Sequence, residues 1–270
     1  MPGSFETYRA LGHRTVHGWV DPQTLDVLRF LSDAQESAGV EGAVAEIGVH
    51  HGKLFIGLQL LNRPGVAAVA IDVFDDQHLN VDQSGQGDLH RFESHVRRWG
   101  DWSSVVVKQG DSTQLTGSEV RELAHGPVRM FSVDGGHTEE TVHVDMRTAE
   151  QSIGPGGIVV VDDVFNEEWP GVSVGTLRYL DGGGTLVPFA IAYNKTYFTD
   201  NDHAALFREA IRRVYGRRWR TAHKTTVFHQ RDVEVLWPTP LTPRSILRRN
   251  RLARKAHAAL TTVRGRRGVS

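Results

Sequence analysis

Five short runs of aliphatic and β-branched residues punctuate the chain, at 43–47, 66–71, 105–108, 130–133 and 158–161. Each is largely apolar on consecutive positions and too short for a helix, which marks a strand buried on both faces of a parallel sheet. An apolar-rich helix is read at 53–61. Ahead of the first strand a second helix spans 22–38, where Leu25, Leu28 and Leu31 are expected in the core. Strand and helix alternate with a repeat of roughly 25–35 residues, the rhythm of a doubly wound α/β sheet.

Open α/β sheets bind ligands in the crevice beyond the carboxyl ends of their strands, so the residues that end each run matter most. After the first run the chain reads Gly48-Val49-His50-His51-Gly52. Gly48 and Gly52 allow a sharp turn and a close backbone approach to a ligand. A dinucleotide phosphate loop would read G-x-G-x-x-G and aim helix N–H groups at a pyrophosphate. Here Glu46 precedes the turn, which suits a cationic ligand better. The second run ends in Asp72, the position from which such folds hydrogen-bond ribose hydroxyls. The third is followed by Gln109-Gly110-Asp111-Ser112, with Asp111 placed to accept from an adenine amino group.

The last two runs deliver Asp134, in FSVDGGH, and the pair Asp162 and Asp163, in GGIVVVDDV. Three converging carboxylates repel one another unless a cation sits between them. An all-oxygen set suits a hard divalent ion, Mg²⁺ before Mn²⁺ or Ca²⁺. A lone Asp after a strand is often a helix N-cap. That accounts for any one of the three, but not for the adjacent pair.

Taken together, AEIGVHHGK, AIDVF, KQGDS, SVDGGH and GPGGIVVVDD resemble the successive motifs of class I S-adenosylmethionine-dependent methyltransferases. They look in particular like the metal-dependent O-methyltransferases that act on sugars, such as the macrocin and mycinamicin sugar methyltransferases. The resemblance covers about residues 40–200. It implies a Rossmann-like, mostly parallel, seven-stranded doubly wound sheet. It places Glu46, Gly48, Gly52, Asp72, Asp111 and Ser112 at S-adenosylmethionine. In that family an aspartate of a D-x-x-H motif and a later Asp-Asp pair hold the metal. Asp134–His137 and Asp162–Asp163 match residue by residue, so Asp134, Asp162 and Asp163 are the implied ligands. Methyl transfer to a hydroxyl of a sugar, glycoside or mannoside is the implied reaction. Catechol methyltransferases are similar too, although their last ligand is typically Asn where this chain has Asp163. A phenolic small molecule is therefore the alternative acceptor, and a non-catalytic carbohydrate- or polyanion-binding module is the reading outside the class.

His137 stands out among fourteen histidines because it lies three residues after Asp134, at the start of a helix. An imidazole there is a usable general base at neutral pH. The helix N-terminus and a nearby cation are expected to depress its pKa and keep it neutral. His50 and His51 sit in the glycine turn, within reach of the cofactor, and His143 is read as structural. Asn166 and Trp169 follow the acidic pair and are candidate acceptor contacts, Trp169 by stacking on a sugar face. The polar, glycine-containing stretch 75–91 is long for a βα joint and reads as a lid or binding loop, or as a plain surface insertion.

With 270 residues, 39% hydrophobic and 23% charged, the chain can bury one large core. Zero cysteines exclude disulfides, thiolate catalysis and zinc–thiolate sites. No apolar run approaches a membrane span and the first residues lack a signal-peptide pattern, so a cytoplasmic location is expected. Three segments are expected: a helical cap over the cofactor at 1–40, a methyltransferase domain at 41–240 and a basic helical tail at 241–270. The formal net charge of −1 conceals nine Lys or Arg and no acid from Arg244 onward, and Arg208 to Arg220 adds a second basic cluster. Leu247, Leu252, Ala256, Leu260 and Val263 lie roughly on one helical face of the tail. It is read as packing on the domain or on a sister subunit of a homo-oligomer, as touching an anionic membrane surface or polyanion, or as binding RNA. No RNA module or aromatic stacking motif accompanies the charge, so nucleic acid is not an expected partner.

Overall fold

A computed structural model describes residues 3–216 and 221–239. Two helices open the chain, α1 (Phe5–Ala10) and α2 (Pro22–Ser37), followed by β1 (Ala43–Ile47), α3 (Lys53–Gln59) and β2 (Ala68–Asp72). The alternation continues through α4 (Leu89–Trp99), β3 (Val105–Gln109), α5 (Gly117–Leu123), β4 (Val128–Val133), α6 (Glu139–Ser152) and β5 (Ile153–Asp162). Then come α7 (Pro170–Asp181), β6 (Val187–Ala192), β7 (Lys195–Thr199), α8 (Ala204–Tyr215), β8 (Thr221–Phe228) and β9 (Arg231–Pro238).

The strands form one sheet in the order β3-β2-β1-β4-β5-β7-β6-β9-β8. β1 to β5 are mutually parallel, and β1 and β4 are buried along their whole length, as their apolar runs require. β7 pairs antiparallel with both β5 and β6. Among the described residues the sheet has nine strands, which corrects the expected seven. The added hairpin β8–β9 extends the far edge, β9 running parallel to β6. Its two-residue connection, His229 and Gln230, has both residues at positive φ, the geometry that matches strand twist in a tight hairpin. Among the described residues no helix is long and apolar enough to cross a membrane. The basic tail at 241–270 lies outside the described residues.

Strand order reverses between β1 and β4, the switch point at which such sheets leave a crevice. The chains emerging there are in contact: the Asp134 amide donates to the Ile47 carbonyl at 2.9 Å. Gly48 has φ +82°, and a Cβ on it would run into the Asp134 carbonyl, so only glycine fits between the two strand ends. On one face, α2 is tied to the sheet by a buried polar cluster. Gln35 donates to the carbonyls of Arg129 (2.6 Å) and Gly156 (2.9 Å), and Arg129 donates to Gln35 Oε1 (2.9 Å) and the Leu61 carbonyl (2.6 Å). On the other face Asp145 of α6 is fully buried, and neither carboxylate oxygen is in hydrogen-bond geometry with a partner. Burial above all, and then the Asp111 charge, push its pKa up to about 7, with the nearby Ser112 hydroxyl offsetting only part of this.

Both features predict stability effects. Gln35→Ala strands two carbonyls and part of a buried guanidinium, and should cost about 2–4 kcal/mol in urea unfolding. An unchanged midpoint would contradict the role given to this cluster. Asp145 ionises near pH 3.9 when unfolded and near 7 when folded, so the native state holds its proton longer. Stability is therefore lost as pH rises from about 4 to 7, on the order of 4 kcal/mol. Asp145→Asn lacks this loss, so its melting temperature should gain on the wild type between pH 5 and pH 8. A gap that does not change with pH would refute the assignment.

Candidate active site

The crevice opens into a cavity of about 760 Å³ lined from the glycine turn, the ends of β1, β2, β4 and β5, the N-terminal segment and the loop after β2. The volume is that of a site for a cofactor-sized ligand. Glu46, Gly48, Asp72, Asp111, Ser112, Asp134, His137, Asp162, Asp163, Asn166 and Trp169 all line it, whereas Gly52 lies behind as the left-handed cap of α3. Glu46 is 1% exposed, and burial first, then the Asp134 charge, raise its pKa well above the usual carboxylate range. The Asp72 carboxylate already accepts from the amides of His50 (2.7 Å) and Phe74 (2.6 Å). Asp111 caps the short turn that follows it, accepting from the Thr113 amide (2.9 Å) and hydroxyl (2.7 Å).

The acidic residues beyond β4 and β5 are not equivalent. Lys195, the first residue of β7, stands opposite Asp162 in the antiparallel register. Its ammonium is 2% exposed and lies 2.7 Å from Asp162 and 2.8 Å from Asp134. The cation expected between three carboxylates is therefore partly supplied by the protein itself. Asp162, expected as a metal ligand, points to Lys195. Desolvation and the Asp134 charge raise the pKa of Asp162, and the lysine lowers it. Asp163 is turned the other way by a left-handed backbone, φ +58°. Its Oδ1 accepts from Asn166 and from Asn194, each at 2.6 Å. Asp134, His137 and Asp163 each offer a ligand atom, and these lie within 4.8 Å of one another.

His137 is held on three sides. Its backbone amide and Nδ1 both meet Asp82 Oδ2, at 2.5 and 2.8 Å, and its Nε2 is 3.4 Å from Asp163 Oδ2. The Trp169 ring stacks on it with centroids 4.1 Å apart, so the aromatic face expected for a sugar is engaged here by the histidine. Burial lowers the His137 pKa, but hydrogen bonds to Asp163 and Asp82 outweigh it and hold the ring at about 9. The expected neutral imidazole is thus reversed by two carboxylates. Divalent charge at Asp134 and Asp163 would pull the value back down.

His17, His50 and His51 form a second cluster at the cavity mouth. The His50 and His51 rings stack at 3.8 Å with 30° between planes, so their in-plane lone pairs run side by side and do not converge on one ion. His17, Trp19 and His50 line the cavity, and burial lowers the His50 pKa to about 4. The N-terminal segment thus lines the cavity through His17 to Val20.

A methyltransferase-domain family model matches residues 45–164. No curated protein matches the chain in sequence. Among solved structures, the chain is similar to the O-methyltransferase NovP, at 15% identity and TM-score 0.52, over 66% of this chain and 80% of NovP. It is similar to TomG of Streptomyces achromogenes, an O-methyltransferase of tomaymycin synthesis solved with S-adenosylmethionine, at 17% identity and TM-score 0.51, over 73% and 89%. MycE of the mycinamycin pathway, solved with Mg and S-adenosylhomocysteine, matches at 17% identity and TM-score 0.47, over 74% of this chain and 55% of MycE. At these identities the likeness is one of fold. Residues 45–164 match a methyltransferase domain, and the solved structures extend that match as a likeness of fold.

Sequence reasoning missed Lys195, Asn194 and Asp82. Lys195→Met should leave the buried Asp162 and the half-buried Asp134 uncompensated and cost about 3–5 kcal/mol. Adding Asp162→Asn should recover part of that loss in the same denaturation assay. A Lys195→Met chain as stable as the wild type would show that the ammonium is not what holds the acidic cluster together.

Proposed function

We propose that this enzyme transfers a methyl group from S-adenosylmethionine to a hydroxyl of a sugar or glycoside, using a divalent cation, Mg²⁺ in the first place. One observation carries the reading: Asp134, His137 and Asp163 converge at the switch-point crevice, beside a cavity walled by the glycine turn. The donor set fits a hard cation. Asp134 has an oxygen free of Lys195, Asp163 keeps Oδ2 free of its two amide donors, and the lysine has already neutralised part of the cluster. Asp134 and Asp163, with His137 beside them, would hold the ion. Bound there, it would supply Lewis-acid polarisation of the acceptor hydroxyl.

The chain's own residues do the rest. His137 Nε2 takes the hydroxyl proton, a contribution of about 10²–10⁴-fold for a placed base. Glu46 faces the cationic amino-acid end of the cofactor. Asp72 retains lone pairs for ribose hydroxyls, and Asp111 and Ser112 border the adenine. Fixing oxygen, methyl carbon and sulfur in line is the larger share of the rate. The sequence also resembles the mycobacterial 1-O-methyltransferase of methylmannose polysaccharide synthesis, which makes a mannoside the first acceptor to try.

Chelation should abolish methyl transfer and Mg²⁺ should restore it. Asp163→Ala should lose turnover yet still bind S-adenosylhomocysteine by calorimetry, and Asp72→Ala should weaken that binding by about 1–3 kcal/mol. The assay is run against a panel of mannosides, other glycosides and a catechol. Full activity in chelator removes the metal from the mechanism, and tight NAD binding without S-adenosylmethionine binding removes the reaction class.

A further inference from the structure

The loop between β2 and α4 borders the cavity and touches His137, the side chain assigned as the base. Asn80 organises its interior, donating to Gln77 Oε1 at 2.9 Å and to the carbonyls of Ser84 and Gly85 at 3.0 and 3.2 Å. Asp82 sits at its tip and divides its carboxylate between two tasks. Oδ1 turns inward and accepts from the Ser84 amide (2.9 Å) and hydroxyl (2.5 Å), keeping the loop in shape. Oδ2 turns outward and accepts from the backbone amide and Nδ1 of His137, 55 positions away in sequence. The Asp82 side chain is 10% exposed.

We infer that Asp82 is a positioning residue for His137, and that the loop aims the base only while it lies over the cavity. This rests on the methyl-transfer reading given above. A surface anchor would need only the backbone bond. The second bond, from the same oxygen to Nδ1, fixes ring rotation and engages Nδ1 with Asp82, so that Nε2 is the nitrogen left to exchange a proton on the acceptor side. Trp169 fixes the ring plane from one face, leaving Nε2 directed at Asp163. Leu79, Asn80, Val81, Ser84 and Gly85 of the same loop line the cavity. Any lifting of the loop would withdraw Asp82 from the histidine. Closing the site against water and aiming the base become one event, in the manner of catalytic lids.

Two arms test the coupling on the full chain. In the first, Asp82→Ala should lower kcat by about 10–100-fold, the loss found when the partner orienting a histidine ring is removed. The acceptor KM should move little. Asp82→Glu should recover part of kcat and Asp82→Asn should not. In a His137→Ala background, Asp82→Ala should change kcat by no more than about twofold, since it acts through that ring. An equal loss in both backgrounds would show that Asp82 merely orders the loop, and would overturn the proposal. The second arm needs no acceptor. Hydrogen exchange of peptides covering 76–88 and 136–139 should speed up about tenfold together in Asp82→Ala. Wild-type protection of both segments in that variant would also overturn the proposal. If the wild type methylates nothing in the panel, the functional reading fails, and the exchange arm alone decides whether loop and histidine are coupled.

Discussion

Five acidic side chains, Glu46, Asp72, Asp134, Asp162 and Asp163, meet at the carboxyl edge of one sheet, and the fold must first survive that concentration of charge. Each is there because parallel strands end on the same side, so any acid that closes a strand is delivered to the same crevice. Left ionised and unpaired in a half-buried site, they would oppose folding by several kcal/mol each. Lys195 is the internal answer. It is buried, it touches Asp134 and Asp162 at once, and it is fixed by strand register, not by a flexible surface arm. Both carboxylates and the one ammonium between them are therefore fixed by the fold before any ligand arrives.

The remaining acids then separate by environment. Glu46 is driven toward its neutral form by burial and by Asp134. Asp72 is satisfied by backbone amides of the glycine turn and the loop. Asp163 is kept ionised, with a pKa lowered to about 2: its burial penalty is exceeded by hydrogen bonds from His137, Asn166 and Asn194. One carboxylate thus stays fully charged next to the histidine, while its sequence neighbour is committed to a lysine. Adjacent identical residues acquire opposite roles because a left-handed backbone at Asp163 turns it away from the strand direction that Asp162 follows.

The first half of the sheet was legible because buried parallel strands write unbroken apolar runs, and their ends fall where the runs stop. β1 matches the expected 43–47, and β2 and β3 differ from expectation only at their ends. The hairpin β8–β9 was not legible in the same way. Its strands are partly exposed, with polar residues interrupting their apolar ones, and the His229-Gln230 turn lacks the Asn-Gly signature. At the site, the residues that end strands were readable and the residues that answer them were not. Asp82 lies in a polar stretch with several other acids, and nothing local distinguishes it. Lys195 opens an ordinary-looking strand, and its meaning depends on which strand it pairs with.

That pairing explains why the sheet is mixed. Every parallel strand brings its last residue to the functional edge. β7 runs the other way, so it brings its first residue, Lys195, together with the turn that precedes it. Tyr193 and Asn194 of that turn both adopt left-handed backbone, which folds the β6–β7 connection tightly against the end of β5. As a result the Asn194 carbonyl receives the Asp163 amide at 3.1 Å, and its side chain donates to Asp163 Oδ1. One reversed strand therefore supplies the ammonium that neutralises Asp162 and the amide that orients Asp163. A parallel strand in the place of β7 would have added another strand end, and with it no cation aligned by register against the pair.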